Sequence, residues 1–528
     1  MRRILKCTKD SYITSKIING VRVTDANVGQ AGTLDLYKLY DETTLSGTVA
    51  PIELTRVLLK FDLQPIYDIT SSININDSSF KCFLKLSDIY GGQPVPSNFT
   101  LGLFPLAREF SEGRGSDVVA YRDVDATNWL TSSFSSGTPT LWATSGAYAS
   151  GALGSTGIDY YHSGALYPSV TSASLGVFQT FNRGDEDLEM DITSLVSGTV
   201  AGLIPDYGFR LSFVSAQEQD QYTYFSKRFS SRHVSNESKQ PRINLLVNDS
   251  ISDMTLSSYF DYPNKIFTYN KAFGSYRNFF SGSSVVTGSN SLFLTLLSSK
   301  NISVQTSSWS ETHSASITYS SSSVSYFSAS FSGSQLSFGM HQQTGIYSAS
   351  FALDTSDPYL KSFLGNREIV KFQPLWQSLD KTVTYTSGSA FVIKKIAGGL
   401  SNVANRNFVT NVTNLKHEYT RDETTRLRFF VQDYNTELRH NKIPIDLVSE
   451  VYSNIHWRLL NAYSRDVVIP FDTTYNSTKL SSDGLGMYFN LYIADLPINT
   501  VYELEFLIRE NGQDYLVTNQ GFRFKVIP

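Results

Sequence analysis

Apolar and polar residues alternate in short runs along the whole chain. Alternation of this kind has the period of a β-strand, in which successive side chains point to opposite faces of a sheet. Blocks of strong helix formers are scarce, so the pattern predicts an all-β protein with helix limited to a short turn near 192–196. The clearest runs are TLDLYKLY at 33–40, RVLLKFDL at 56–63, FKCFLKLSD at 80–88, GFRLSFV at 208–214 and RINLLV at 242–247.

Two stretches allow more than one interpretation. The run LVSEVYSNIHWRLL at 447–460 has apolar residues at helical four-residue spacing, but alternation and the strand-like run DVVIPFD that follows favour strand. The serine-rich segment 306–351 has the composition of a linker, yet an apolar residue recurs every two to five positions. We therefore predict serine-decorated hairpins there. Near the end of the chain, Asn511-Gly512 between YELEFLIRE and QDYLV predicts a hairpin with a type I′ turn.

The length of 528 residues is too great for one hydrophobic core. Strand patterns end and polar loops begin at NDSISDM, 248–254, and at KKIAGGLSNVANRN, 394–407. These breaks predict domains at 1–248, 249–396 and 397–528, and the last two have the size of immunoglobulin-like sandwiches.

Composition and charge narrow the classes of partner. Aromatic residues make up 13% of the chain and charged residues 17%, which excludes a disordered protein. The net charge of -4 comes from interspersed acidic and basic residues, so we expect no nucleic-acid partner. No apolar run is long enough for a membrane span. The apolar part of the first ten residues, MRRILKCTKD, is too short for the hydrophobic region of a signal peptide. The two cysteines, Cys7 and Cys82, are too few to stabilise a chain of this length by disulfide bonds, and both are predicted to be reduced.

Motifs for catalysis or cofactor binding are absent from the sequence. There is no GxSxG, GxxxxGK[ST] or HExxH pattern, and EGRGSD at 112–117 has the glycines of a tight turn. We therefore predict no enzyme activity, no cofactor and no structural metal site. Two acidic clusters remain open between solvated loops and calcium sites; they are Asp117, Asp123 and Asp125, and Asp185, Glu186, Asp187 and Glu189.

Aromatic residues gather in the Gly/Ser/Thr-rich stretch 126–168, where they could form a sugar-stacking platform or a subunit contact. The set comprises Trp129, Trp142, Tyr148, Tyr160 and Tyr161. Because large rings are usually buried, we expect Trp129 and Trp142 in a core or an interface. Only the pair Tyr160 and Tyr161 is expected to be exposed.

An ordered series of motifs in the first 248 residues resembles the DNRLRE family of jelly-roll domains. The series comprises DSYIT at 10–14, ANVGQAGTLDLY at 26–37, RVLLKFDL at 56–63, EFSEGRG at 109–115, ATNW at 126–129, LWATSGA at 141–147, MDITSLV at 190–196, DYGFRLSF at 206–213, FSSR at 229–232 and PRINLLV at 241–247. Phe110 stands where the family commonly has tryptophan. The resemblance implies a jelly-roll fold without catalytic residues, and some family members bind polysaccharides.

The rest of the chain resembles immunoglobulin-like modules in virion proteins of large tailed, T4-like bacteriophages. The segments are YNKAFGSYRNFF at 269–280, VTGSNSLFL at 286–294 and VIPFDTTYNSTKLSSDGLGMYFNLYI at 468–493. The resemblance implies a non-enzymatic structural component of a virion neck, tail, baseplate or head, made in the host cytoplasm. Its expected partners are other virion proteins and copies of itself in a homo-oligomer. The alternative is a carbohydrate-binding adhesin or receptor-recognition fibre that binds a host glycan.

Overall fold

The structure is a computed structural model that describes residues 1–70, 72–89, 95–119, 125–166, 173–299, 326–338, 341–395, 407–433, 449–510 and 512–528. Helices are short throughout these residues; they are Gln64–Tyr67, Thr193–Val200, Ser215–Gln219 and Pro358–Leu364, with 3-10 turns at Glu237–Lys239 and Ile493–Asp495. The all-β prediction with sandwich architecture is confirmed. Helix is found near 192–196 as predicted and also in three short segments that the pattern did not indicate.

The first set of strands builds the N-terminal sandwich. Ten strands form one connected sheet system: Arg2–Thr14, Thr33–Tyr40, Ile52–Phe61, Lys81–Leu86, Phe99–Pro105, Val177–Phe181, Leu188–Asp191, Phe209–Phe213, Tyr224–Ser230 and Arg242–Leu246. Shorter strands decorate it at Ile17–Ile18, Val21–Arg22, Thr131–Ser135, Thr138–Leu141, Ser150–Ala152, Tyr160–Gly164 and Ala173–Ser174. All five of the clearest alternating runs lie in or overlap strands of the main system.

The strand Arg2–Thr14 belongs to both sheets of this sandwich. Its first part, from Arg2 to Lys6, pairs antiparallel with Arg242–Leu246. Its second part pairs with Ile52–Phe61, and the register shifts between Cys7 and Lys9. A bulge of this kind bends a strand, which allows one strand to pass from one sheet to the other.

The middle set of strands forms an eight-stranded sheet system. Its strands are Ser258–Tyr259, Asn264–Tyr269, Leu292–Ser299, Tyr326–Phe338, His341–Phe351, Ile369–Gln377, Thr384–Ser387 and Phe391–Lys394. Two small hairpins extend from it, Lys271–Ala272 with Ser275–Tyr276 and Phe280–Ser281 with Ser284–Val285. The predicted serine-decorated hairpin is confirmed by the pairing of Tyr326–Phe338 with His341–Phe351, and residues 306–325 and 339–340 lie outside the described residues.

The last set of strands forms two facing sheets. One contains Phe408–Val412, Thr424–Asp433, Ser481–Asp483 and Gly486–Tyr492; the other contains Glu418–Thr420, Ile455–Asn461, Val467–Ile469, Val501–Glu510, Gln513–Val517 and Arg523–Ile527. Phe429 stacks on Phe506 across the sheets with ring centres 4.0 Å apart. The strand interpretation of 447–460 is confirmed at Ile455–Asn461, and Glu510 pairs with Gln513 in the predicted hairpin, where Gly512 has φ of 77°.

Three main hydrophobic cores correspond to these three sets of strands. The predicted boundary at 248 falls between two sets, and the one at 396 lies outside the described residues; both boundaries stay predictions. Cys82 is buried in Lys81–Leu86, and Cys7 is half-buried beside the bulge. No helix among the described residues is long and apolar enough to cross a membrane.

The third set of strands packs directly against the start of the chain. Ile4 is buried in the core that otherwise belongs to residues 412–526. The buried carboxylate of Asp495 accepts hydrogen bonds from Arg3 Nε at 2.8 Å and from the backbone N–H of Ile4 at 2.9 Å. The Arg3 guanidinium also lies 4.3 Å from the centre of the Tyr492 ring. The N-terminal and C-terminal sandwiches are therefore joined by a contact that combines the Arg3–Asp495 ion pair with the buried side chain of Ile4.

The segment that follows residue 248 is also bound to the C-terminal sandwich. The backbone N–H of Ser482 donates to the Ile251 carbonyl at 2.7 Å, and its hydroxyl donates to the Asp253 carbonyl at 2.8 Å. Ser257 Oγ accepts from the backbone N–H of Val451 at 2.9 Å. Residues 251–257 are thus hydrogen-bonded to the C-terminal sandwich, although the sequence shows only a polar break in the strand pattern near them.

We predict that the Asp495→Asn substitution weakens the contact between the first and last sandwiches. Loss of the charge that Arg3 pairs with should lower the free energy of unfolding by about 1–3 kcal/mol, measured by urea denaturation. Asp514→Asn is the matched control, because its pair with Arg509 is solvent-exposed and should contribute less than ~1 kcal/mol. Equal effects of the two substitutions would contradict the prediction.

Candidate functional site

An open groove of about 390 Å³ lies on the N-terminal sandwich beside the predicted aromatic stretch. Trp129 and Tyr148 contribute its rings, and Arg56 lies between them. The groove is lined by Ser15, Arg22, Ile52, Leu54, Arg56, Trp129, Thr144, Ser145, Tyr148, Glu218 and Gln219. A groove that combines aromatic rings with hydrogen-bonding groups can bind either a neutral polymer or the side chains of another protein.

The two rings of the groove are held by a buried arginine. The Arg56 guanidinium carbon lies 5.2 Å from the centre of the Trp129 ring and 5.1 Å from that of Tyr148. Arg56 Nη1 donates to the Gly146 carbonyl at 2.5 Å. Gly146 has φ of 82°, and a Cβ at this position would lie 2.5 Å from the Trp129 ring. Only glycine therefore allows the loop to approach the ring so closely.

Glu218 neutralises this arginine from the short helix Ser215–Gln219. Its two carboxylate oxygens accept from Arg56 Nε at 2.9 Å and Nη2 at 2.7 Å in a bidentate pair. A second buried arginine, Arg210, approaches Glu218 at 3.8 Å. Burial, followed by the charge of Arg56, lowers the pKa of Arg210 to about 10. Glu218 thus lies beside two buried guanidinium groups, and the buried carboxylate of Asp159 also acts on Arg210.

The loop that carries Tyr148 is fixed by another buried carboxylate. Asp159 accepts from the backbone N–H groups of Ala143, Thr144 and Ala149 at 2.6, 3.0 and 3.0 Å. Trp142 begins this loop, is 5% exposed and donates from Nε1 to the Asn128 carbonyl at 2.9 Å. One wall of the groove is therefore preorganised by hydrogen bonds within the fold.

The aromatic residues singled out from the sequence occupy different environments. Trp142 is in a small core, as expected, and Trp129 is half-buried at the groove. The expectation that Tyr160 and Tyr161 are both exposed is wrong, because they are neighbours on the strand Tyr160–Gly164 and point to opposite faces. Tyr161 enters the main core. Tyr160 is half-buried with its ring centre 4.4 Å from the Arg210 guanidinium carbon.

Sequence reasoning missed Arg56, Arg210 and Glu218, and it did not distinguish Tyr148, which is 41% exposed. Arg56 and Arg210 stand inside the apolar runs RVLLKFDL and GFRLSFV. A lone charged residue within such a run is the signal that could have indicated a buried ion pair. The helix that carries Glu218 has no comparable signal in the sequence.

The acidic cluster at 185–189 contains an internal cation from the chain itself. Lys227 is fully buried and donates to the carbonyls of Gly184 at 2.7 Å and Glu186 at 2.8 Å, and to the carboxylate of Asp88. Of the carboxylates of this cluster, Asp185 pairs with Arg183 at 2.7 Å and Asp187 with Lys85 at 3.5 Å. In the other cluster, Asp123 lies outside the described residues.

Comparisons with known proteins add no family assignment. No family model matches the chain, and no curated protein matches it. A solved structure of fibronectin(III)-like modules of Clostridium thermocellum CbhA is similar at 7% sequence identity and a TM-score of 0.14, covering 53% of this chain and 92% of that one. At this score the likeness carries no argument about fold or function.

We predict that the groove depends on the charge of Glu218. Glu218→Gln removes the carboxylate charge that pairs with Arg56 at 2.7 Å and lies 3.8 Å from Arg210, and should lower the free energy of unfolding by about 3–5 kcal/mol. Glu109→Gln is the control, because its pair with Lys9 is exposed and should change stability by less than ~1 kcal/mol. Chemical denaturation of both variants checks this, and a small effect at Glu218 would contradict it.

Proposed function

We propose that this chain is a non-enzymatic structural component of a larger particle, a tailed-phage virion, and acts by docking to other subunits. The motif series of the first domain and the resemblance of the later segments to virion modules support this proposal. The observation that carries the docking part is Phe273, at the tip of the hairpin formed by Lys271–Ala272 and Ser275–Tyr276.

Phe273 is unfavourable within the isolated fold in two ways. Its ring is 95% exposed, so it contributes little to any core. Its φ of 52° lies in the left-handed region, which is strained for a bulky residue. Asparagine or glycine would suit the turn better. We infer that the ring acts through contact with another molecule.

Further exposed apolar side chains accompany Phe273 on the two small hairpins. Tyr276 is 42% exposed, Phe280 58% and Val285 48%. Exposed aromatic residues of this kind are enriched at protein interfaces, where they act as anchors. The basic residues Lys271 and Arg277 lie against the rings of Tyr276 and Phe273. This apolar surface with flanking cations suits a protein partner.

We predict that Phe273→Asn separates docking from folding. Asparagine tolerates a positive φ, so the variant should melt at the same temperature as the wild type or higher. It should nevertheless fail to enter particles when supplied to infected cells, measured by mass spectrometry of purified virions.

Ser136→Asn is the matched control for this substitution. Ser136 also has a positive φ, 51°, at an exposed hairpin turn, but it carries no apolar ring. The control variant should be incorporated normally. Normal incorporation of Phe273→Asn would contradict the proposed role of the hairpin.

The groove supports a second candidate function, recognition of a host glycan. Trp129 and Tyr148 present ring faces beside Arg22 and Gln219, an arrangement that can combine stacking with hydrogen bonds to hydroxyl groups. The preorganised loop 142–149 favours binding because little conformational entropy would be lost.

We predict that any glycan identified on an array binds at this groove. Tyr148→Ala should weaken that binding about tenfold, because it removes the more exposed ring, as measured by isothermal titration calorimetry. Leu130→Ala is the control, since Leu130 is also 41% exposed but does not line the groove. No binding to any glycan, or equal loss in both variants, would rule out the second function.

A further inference from the structure

A polar cluster with incomplete hydrogen bonding lies where the strand Arg2–Thr14 crosses between the two sheets. It contains Asp10 just after the bulge, Glu112 from the loop that follows Phe99–Pro105, and Arg232 and His233 after Tyr224–Ser230. One ligand-type atom from each of Asp10, Glu112 and His233 lies within 4.8 Å of the others. Among the described residues, these are the His, Cys, Asp and Glu side chains that lie close enough together to hold a metal ion.

Two buried atoms of the cluster have no hydrogen-bond partner. Asp10 is 1% exposed; its Oδ2 accepts from the backbone N–H of Arg232 at 2.6 Å, whereas its Oδ1 has no partner. His233 Nε2 is also buried and unpartnered, and it lies 3.4 Å from Glu112 Oε1 without a hydrogen bond. Unsatisfied buried polar atoms are rare and point to a missing water or ion.

The charges of the cluster are not balanced when both carboxylates are ionised. Arg232 pairs with Glu112 through Nε at 2.5 Å and Nη2 at 2.6 Å. The Asp10 carboxylate then remains as a buried negative charge without a counter-ion. Burial raises the pKa of Asp10 to about 7. A cation next to Asp10 Oδ1 would remove this penalty.

Elsewhere in the same sandwich, lysine ammonium groups neutralise buried oxygen atoms. Lys227 serves Asp88 and two carbonyls, and Lys38 donates to the Asp220 carboxylate at 2.6 Å. The nearby Lys9 instead pairs with the exposed Glu109. The cluster at Asp10 differs from the groups around Lys227 and Lys38, because it contains a histidine nitrogen and no lysine ammonium group.

We propose that Asp10, Glu112 and His233 form a binding site for a divalent transition-metal ion of the zinc class. One nitrogen and two carboxylate oxygens match the ligands that such ions prefer. Ligands of a tetrahedral zinc ion lie roughly 3.4 Å apart. His233 Nε2 and Glu112 Oε1 already have this separation, 3.4 Å, and one ligand atom of each of the three residues lies within 4.8 Å of the others. Glu112 Oε2 accepts from Arg232 Nη2, whereas Oε1, which lies 3.4 Å from His233 Nε2, accepts from Arg232 Nε and from the Asp10 backbone N–H.

The test is titration of the EDTA-treated, dialysed full chain with zinc chloride by isothermal titration calorimetry, together with thermal melting. The wild type should bind one zinc ion per chain and melt at a higher temperature with zinc. His233→Gln should bind at least tenfold more weakly, as should Asp10→Asn. His233 is only partly buried, so its variant keeps the test valid even if Asp10→Asn fails to fold.

Two control variants distinguish this site from adventitious binding. His162→Gln alters an exposed histidine of the same sandwich, and Cys7→Ser removes the neighbouring thiol, which donates to the Lys9 carbonyl at 3.2 Å. Both should bind zinc as the wild type does. The proposal is overturned if the wild type binds no zinc, if His233→Gln binds it equally well, or if Cys7→Ser alone abolishes binding. A zinc-soaked crystal with only a water between Asp10 and His233 would also overturn it.

Discussion

The strand Arg2–Thr14 must satisfy backbone hydrogen bonds in two sheets while its side chains enter two cores. Leu5 packs in the N-terminal core, whereas its neighbour Ile4 packs in the C-terminal one. Opposite side-chain directions of adjacent strand residues make this possible without any change of backbone direction. The bulge at Cys7 and Lys9 then carries the chain into the second sheet. A one-residue slip in this strand would exchange the two faces and disrupt both cores together.

Buried charges set a second constraint on the N-terminal sandwich. Lys38, Arg56 and Lys227 are each at most 1% exposed, and every one is surrounded by oxygen acceptors. An unpaired charge at such positions would cost several kcal/mol, so the partner loops have to close around each cation. The ion pairs therefore determine where loops such as 142–149 and 184–188 lie. The net contribution of these ion pairs to the free energy of unfolding is small, and their main effect is to fix the conformation of these loops.

Alternation in the sequence was sufficient to predict the sandwich class and the strands of the clearest runs. TLDLYKLY coincides with the strand Thr33–Tyr40, in which Leu34 and Leu36 enter the core and Tyr37 is also buried, with its hydroxyl 2.8 Å from Thr14 Oγ1. The same alternation places Lys38 inward, and no local pattern shows which loop will supply its oxygens. Trp129 and Tyr148 were named from the sequence as members of one aromatic stretch, whereas Arg56 and Glu218 come from segments far from it in the chain and were missed. Tyr160 and Tyr161 were misjudged because exposure was inferred from a polar stretch and not from strand direction.

The proposed docking role depends on how the exposed hairpin that carries Phe273 is attached to its sheet. Two-stranded hairpins are marginally stable alone, but the one that carries Phe273 is anchored at its base, where Asn270 N–H donates to the Gly345 carbonyl at 2.8 Å. A Cβ on Gly345 would lie 2.7 Å from the Arg277 nitrogen, so the hairpin packs directly on the backbone of the larger sheet. The base of the hairpin that carries Phe273 is thereby fixed to the larger sheet. Because its turn is already ordered, association would lose less conformational entropy at this residue than a flexible loop would.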